Sequence, residues 1–187
     1  VVVGGRPARK RDGDDDVDVD NVAGGREATQ FLIDRGYRDI ATITGPLDMP
    51  AGVDRLLGHR EALAAAGLPE GLAEDGDFTS VGGAAAMRRI LDQGPAPRAL
   101  FVASDLMARG AIAVLSERGL RIPDDVAIIG FDDSPVASNA TPGLTTMRQP
   151  SLQQGELMAH TLLELLAGRA PQRVTILATE LILRDSA

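Results

Sequence analysis

Cysteine is absent from the 187 residues, which excludes disulfide cross-links, a thiolate nucleophile and cysteine-ligated zinc. Histidine occurs only at positions 59 and 160, too sparse and too far apart in sequence for a histidine-rich metal site. Positive charge is scarce: 19 Lys and Arg face 27 Asp and Glu, a net charge of −8, and Lys10 is the sole lysine. A face that neutralises nucleic-acid phosphates is therefore not expected. No apolar run reaches membrane-spanning length and no signal-peptide pattern opens the chain, so the expected location is cytoplasmic. P-loop, GxGxxG, GxSxG and HExxH patterns are missing as well, and no cofactor is expected.

What is present is the balance of a globular protein, with 44% hydrophobic and 25% charged residues. Val1-Val2-Val3 reads as a short buried strand entering the Gly4-Gly5 turn. A basic run follows from Arg6 to Arg11, then an acidic one from Asp12 to Asp20. Within the latter, Val17 and Val19 alternate with aspartates as in a strand. From Asn21 the pattern becomes regular. Ala28, Phe31, Leu32 and Arg35 share a helix face that stops at Gly36. Ile40–Thr44 is a predicted strand, followed by a loop to Gly52 and a helix closed by Gly67. Met87, Ile90 and Leu91 mark the next helix, Ala99–Ala103 the next strand. Met107, Ala111, Val114 and Leu115 line a helix ending at Gly119, and Val126–Phe131 is again apolar. Met158, Leu162, Leu165 and Leu166 line a last helix to Gly168, before closing strands at 174–177 and 180–183. Apolar strands alternating with helices indicate a parallel α/β sheet with right-handed crossovers.

Ligands of open α/β sheets bind beyond the carboxyl ends of the strands. Here those ends carry Asp48, Met49 and Arg55, then Ser104 and Asp105, then Asp132, Asp133 and Ser134. Carboxylates accept from adjacent hydroxyls and a guanidinium donates in a planar fork, which suits a neutral sugar or polyol, with Phe78 as an apolar platform. Each residue also has a plain structural role. Ser104 and Asp105 stand where a helix starts, and capping is the expectation for Asp105. Asp132-Asp133 before Ser134-Pro135 can shape a turn. Arg55 can be a solvated helix residue, and Phe78 can be core. Asp16, Asp18, Asp20 and Glu27 imitate a calcium loop, but Asn21 occupies the position where that loop needs glycine. Neither histidine has a serine or cysteine arranged beside it as a nucleophile.

Several strings resemble the LacI/GalR family of bacterial transcription regulators, in family order and spacing over nearly the whole chain. They are Val17-Asp18-Val19-Asp20-Asn21 with Gly24-Gly25, Gly36-Tyr37-Arg38-Asp39-Ile40-Ala41, Gly45-Pro46 and Arg55-Leu56-Leu57-Gly58. Ala103-Ser104-Asp105-Leu106-Met107-Ala108, Ile122-Pro123-Asp124-Asp125-Val126 and Ile129-Gly130-Phe131-Asp132-Asp133 continue the set. It closes with Pro142-Gly143-Leu144-Thr145-Thr146-Met147-Arg148-Gln149-Pro150. The resemblance implies a periplasmic-binding-protein-like type I fold: two doubly wound parallel-sheet lobes with a small molecule between them. Residues 22–148 and 179–187 would form the C-terminal lobe. Residues 1–21 and 149–178 would form part of the N-terminal lobe, which lacks two βα units; the family's helix-turn-helix is also missing. By position, Arg55 and Asp132 resemble the main polar effector contacts. Ser104 stands where the family often has a ligand-touching Asn, Phe78 where it has a stacking ring. Met49 lies in the loop that tunes ligand identity, and Gln149 at the last hinge crossing. The implied partners are a sugar-like effector, a second copy of the chain, and operator DNA reached only through the missing headpiece. A solute-binding receptor of a transport system shares the fold and the cleft logic, whereas a hydrolase lacks a nucleophile. On this reading, alanine at Arg55 or Asp132 weakens effector binding about tenfold to a hundredfold and leaves the fold largely intact.

With its net charge of −8, the chain should not retard duplex DNA at physiological salt. A gel-shift titration checks this; salt-sensitive binding would contradict it.

Overall fold

The computed structural model describes residues 1–7, 15–169 and 174–187. The rest of the basic run and the first acidic residues lie outside them. The described chain forms β1 (Val2–Gly4), β2 (Asp15–Val19), α1 (Asn21–Asp34), β3 (Ile40–Thr44), α2 (Pro50–Ala65), β4 (Ala73–Asp75), α3 (Ser80–Asp92) and β5 (Ala99–Val102). It continues with α4 (Asp105–Glu117), β6 (Ala127–Asp132), α5 (Pro135–Ser138), β7 (Thr145–Arg148), α6 (Ser151–Leu166), β8 (Val174–Leu177) and β9 (Glu180–Ile182). Strands β4 and β7 and the single-turn α5 go beyond the elements legible from periodicity. β4 is exposed at both ends, and β7, although buried, is too short and polar to stand out.

The strands make two sheets, as expected of this fold. One has three parallel strands in the order β1-β2-β8. The other has six, in the order β4-β3-β5-β6-β7-β9, all parallel except β9, which runs antiparallel to β7. Strict alternation along the larger sheet feeds two cores. Ile40, Ala99, Phe101, Ala127 and Ile129 pack under α1 and α2 with Ala28, Leu32, Ala62 and Leu63. Their neighbours Ala41, Ile43, Leu100, Val102 and Ile128 face α3 and α4 with Met87, Ile90, Met107 and Leu115. Helices on both faces of a parallel sheet explain why its strands read as continuous apolar runs. Among the described residues, no helix is long and apolar enough to cross a membrane.

Helices α1 and α2 approach closely because glycine stands at the contact. A Cβ on Gly58 would lie 2.0 Å from Val22 O, and one on Gly25 2.3 Å from Arg55 O. His59 is buried in the same contact. Its ring stacks on Phe101 at 5.9 Å, and its Nδ1 lies 2.8 Å from Thr29 Oγ1. The Thr29 hydroxyl donates to Gly25 O, so the His59 Nδ1–H is the donor toward Thr29. Burial lowers the His59 pKa to about 4, and the ring is a neutral packing group. His160 is exposed on α6.

The smaller sheet departs from the sequence expectation in two ways. Val1 is 78% exposed and β1 is only half-buried, because it is an edge strand. All five residues of β2, aspartates included, are buried, because β2 is the central strand. The calcium-loop imitation dissolves into local roles. Asp18 Oδ1 accepts from Val19 N, Asp20 accepts from Ala23 N as the cap of α1, and Glu27 is exposed on α1. The apolar face of helix α6 is only partly covered. Leu157 and Met158 pack on Val17, Val19 and Leu177, whereas Leu162 and Leu166 are exposed, the latter 76%. Three crossings join the sheets: β2 to α1 at Asp20-Asn21, β7 to α6 at Gln149-Pro150, and β8 to β9 at Ala178-Thr179. Asp20 N donates to Leu177 O at 2.8 Å across two of them.

Gly58→Ala should destabilise the protein by about 1–3 kcal/mol through overpacking. Helix propensity alone would stabilise by about 1 kcal/mol, so the sign of the change in urea midpoint decides whether the α1–α2 approach is as close as described.

Candidate functional site

The carboxyl ends of the larger sheet point toward the crossings, and there Arg55 of α2 is only 4% exposed. Its Nε donates to Asn21 Oδ1 at 2.8 Å and its Nη1 to Ala103 O at 2.6 Å. Nη1 also lies 3.3 Å from Asp132 Oδ1. The guanidinium carbon sits 3.7 Å over the Phe131 ring and 5.8 Å from that of Phe78. Burial pulls the Arg55 pKa below its usual value, and Asp132 opposes that shift. An arginine so held is the opposite of a solvated helix residue.

Asp132 closes β6 and accepts from Gln149 Nε2 as well as from Arg55. Burial pushes its carboxyl above the usual range, against the pull of Arg55 and Gln149. Asp132 and Asp133 have φ of 120° and 54°, both in the region that favours glycine. The neighbouring aspartates serve different ends. Asp133 faces away from Arg55 and pairs with Arg184 at 2.6 Å and Arg148 at 2.7 Å. Burial alone would raise its carboxyl, but the bonds from Arg184 and Arg148 outweigh that and hold it low.

A cavity of about 400 Å³ lies between the two sheets. Met49, Arg55 and Gln149 line it, facing Gly4, Gly5 and Arg6 from the β1 side and Asp18 and Asn21 from the first crossing. A second hollow shares Gln149 and Ser151 with it and reaches Asp132 and Asp133. Arg6 spans the rim, its Nη2 2.6 and 2.7 Å from the two carboxylate oxygens of Asp54 on α2. The structure thus brings Arg55, Asp132, Gln149 and Met49 together. Phe78, half-buried in the loop after β4, has φ 62° and packs beneath Gly45, where an added Cβ would lie 2.2 Å from its ring. It flanks Arg55 and is not among the residues lining the cavity. Ser104 is buried and caps α4, its Oγ accepting from Met107 N.

Asp105 corrects the capping expectation, because Ser104 holds that position. The Asp105 carboxylate instead accepts from Thr146 Oγ1 at 2.6 Å and from Ser134 N at 2.8 Å. Burial pushes its pKa up to about 6, with Thr146 and Ser134 opposing. Sequence reasoning missed Asn21 and Phe131 as site residues. Both stand inside the family-like strings, but no spacing rule shows that Asn21 Oδ1 receives Arg55 or that Phe131 lies beneath it. Among the described residues, no group of three or more His, Asp or Glu is placed to hold a metal ion.

These contacts revise the expectation for Arg55. Arg55→Ala strands Asn21 Oδ1, Ala103 O and Asp132, so it should cost about 3–5 kcal/mol of stability as well as affinity. Gln149→Ala, at a half-buried position, should cost about 1 kcal/mol. Urea denaturation followed by circular dichroism separates the two.

A model of the periplasmic binding protein-like domain matches residues 29–187. The HTH-type transcriptional regulator CelR of Thermobifida fusca is 50% identical over 173 residues, which are 91% of this chain and 51% of that protein. The ribose operon repressor of Escherichia coli K12 is 46% identical over 155 residues, 81% of this chain and 47% of that protein. A solved complex of transcriptional regulator CelR with cellobiose superposes with a TM-score of 0.95 at 47% identity, covering 100% of this chain and 58% of that one. The chain thus spans about half the length of the curated relatives it matches. The matched domain, these relatives and the two-sheet architecture agree: the chain belongs to the LacI/GalR family of regulators, to its periplasmic-binding-protein-like effector domain.

Proposed function

We propose that the chain is the effector-sensing part of a cytoplasmic, LacI-type DNA-binding regulator and acts by binding, not by catalysis. The observation that carries this reading is the set of buried Arg55 with half-buried Asp132 and Gln149 at the edge of a cavity between two sheets. A guanidinium, a carboxylate and an amide offer donors and acceptors to a neutral polyhydroxylated ligand, and regulators similar to this chain carry cellobiose or ribose in their names or complexes. Residues 22–148 and 179–187 make one lobe; residues 1–21 and 149–178 contribute to the other. A ligand that binds the closed arrangement of the lobes better than the open one shifts their populations.

In the longer protein, that shift changes how a homodimer presents two DNA-reading heads to a pseudo-palindromic operator. The acidic charge of this part fits a division in which the basic surface lies elsewhere. Val81 on α3 is 80% exposed and Leu106 on α4 is 41% exposed, which gives a second copy an apolar surface to cover.

Calorimetric titration with cellobiose and with ribose tests the reading. One of them should bind, and Asp132→Asn should weaken it about tenfold to a hundredfold with an unchanged far-ultraviolet spectrum. Binding of neither sugar would overturn the assigned ligand class, and equal affinity in Asp132→Asn would overturn the assigned site.

A further inference from the structure

We propose that Asp105 is a positioning residue for the sensor site: it clamps the turn at Ser134 and so keeps Asp132 facing Arg55. The inference rests on the sensor reading only for its ligand measurement.

Asp105 is fully buried, yet Ser134 and Thr146, which donate to it, are neutral groups. A buried carboxylate of that kind is costly, and an apolar side chain would fill the space with less desolvation. Capping does not account for it, because Ser104 already accepts from Met107 N. Its bonds go to two places: one oxygen takes both the N–H and the hydroxyl of Ser134, the other takes Thr146 Oγ1 on β7. Ser134 directly follows Asp132 and Asp133, two non-glycine residues in the left-handed region. Such backbone persists only where its surroundings over-determine it, and such residues cluster at ligand sites. Asp133 is fixed by Arg148 and Arg184, and Asp105 fixes the next residue.

Space enforces the same placement. A Cβ on Gly130 would lie 2.5 Å from Asp105 Oδ1, so the carboxylate sits flush against β6, two residues before Asp132. Thr146 is the register partner of Gly130 on β7. Asp105 therefore ties the end of β6 to its neighbour strand and sets the direction in which the chain leaves the sheet. Asp132 is the residue whose side chain that direction aims.

Asp105→Leu keeps the branched outline at a larger volume and removes every acceptor, whereas Asp105→Asn keeps the size, an acceptor for Ser134 N–H and an amide that can donate to the Thr146 hydroxyl. Hydrogen exchange of the 187-residue chain should be about tenfold faster over 131–136 in Asp105→Leu, unchanged over 40–44 and 99–102, and close to wild type throughout in Asp105→Asn. Should Asp105→Leu not fold, Asp105→Ala, which leaves room for water at Ser134, is read the same way. Unchanged exchange over 131–136, or uniform loss of protection across 99–131, would overturn the proposal, the latter by showing a core role alone. In parallel, cellobiose should bind the Leu or Ala variant at least tenfold more weakly than wild type and Asp105→Asn nearly as well. If wild type does not bind cellobiose, the ligand choice fails while the exchange measurement still decides the clamp.

Discussion

A guanidinium removed from water governs this molecule. Burying the Arg55 charge is expensive, and it is tolerated because Asn21 Oδ1, Ala103 O and Asp132 accept from it while the Phe131 face lies beneath it. Those partners come from three places: the first crossing at the start of α1, the end of β5, and the end of β6. Satisfying one side chain therefore fixes the relative height of two strand ends and the start of α1. The glycine contacts of α1 with α2 serve the same end, since they bring the helix that carries Arg55 close enough to meet Asn21.

The position of Arg55 also explains how a local contact can matter to the whole. Asn21 and Gln149 stand at two of the three crossings, one bonded to Arg55 and the other to Asp132. Arg55 on one wall of the cavity faces the Gly4–Arg6 turn on the other, so the separation of these groups changes if the two sheets move apart. The Arg6–Asp54 pair spans the same gap, but Arg6 is half exposed and such a pair is worth at most about 1 kcal/mol. An exposed pair of this kind adds little to holding the two sheets together.

The two sheets are unequal in coverage. Both faces of the six-stranded sheet are closed by helix pairs whose inward residues are almost wholly buried. The three-stranded sheet has one small core of Val17, Val19 and Leu177 under Leu157 and Met158, while Leu152, Leu163 and Leu166 of α6 and Ile176 of β8 remain exposed. Resistance to local unfolding follows buried apolar contact, so the larger sheet is the rigid frame on which Arg55 and Asp132 are mounted.

The strands at 40–44 and 99–102 and the helices ended by Gly36, Gly67 and Gly119 were legible because period and punctuation are properties of neighbouring residues. Apolar runs buried on both faces, as in Ala99–Val102, specify a parallel sheet without any knowledge of distant contacts. The family resemblance likewise named Arg55, Asp132, Phe78, Ser104, Met49 and Gln149 together, since a motif ties residue type to position along the chain, although Phe78 and Ser104 do not line the cavity. What a linear pattern does not contain is which atoms meet across 34 or 77 residues, the separations of Arg55 from Asn21 and from Asp132. Whether Asp105 caps a helix or holds Ser134, and whether Leu162 is covered, likewise follow from packing of elements remote in sequence. Local preference is decided by a residue and its neighbours; the role of a buried charge is decided by whichever partners the fold leaves within about 3 Å of it.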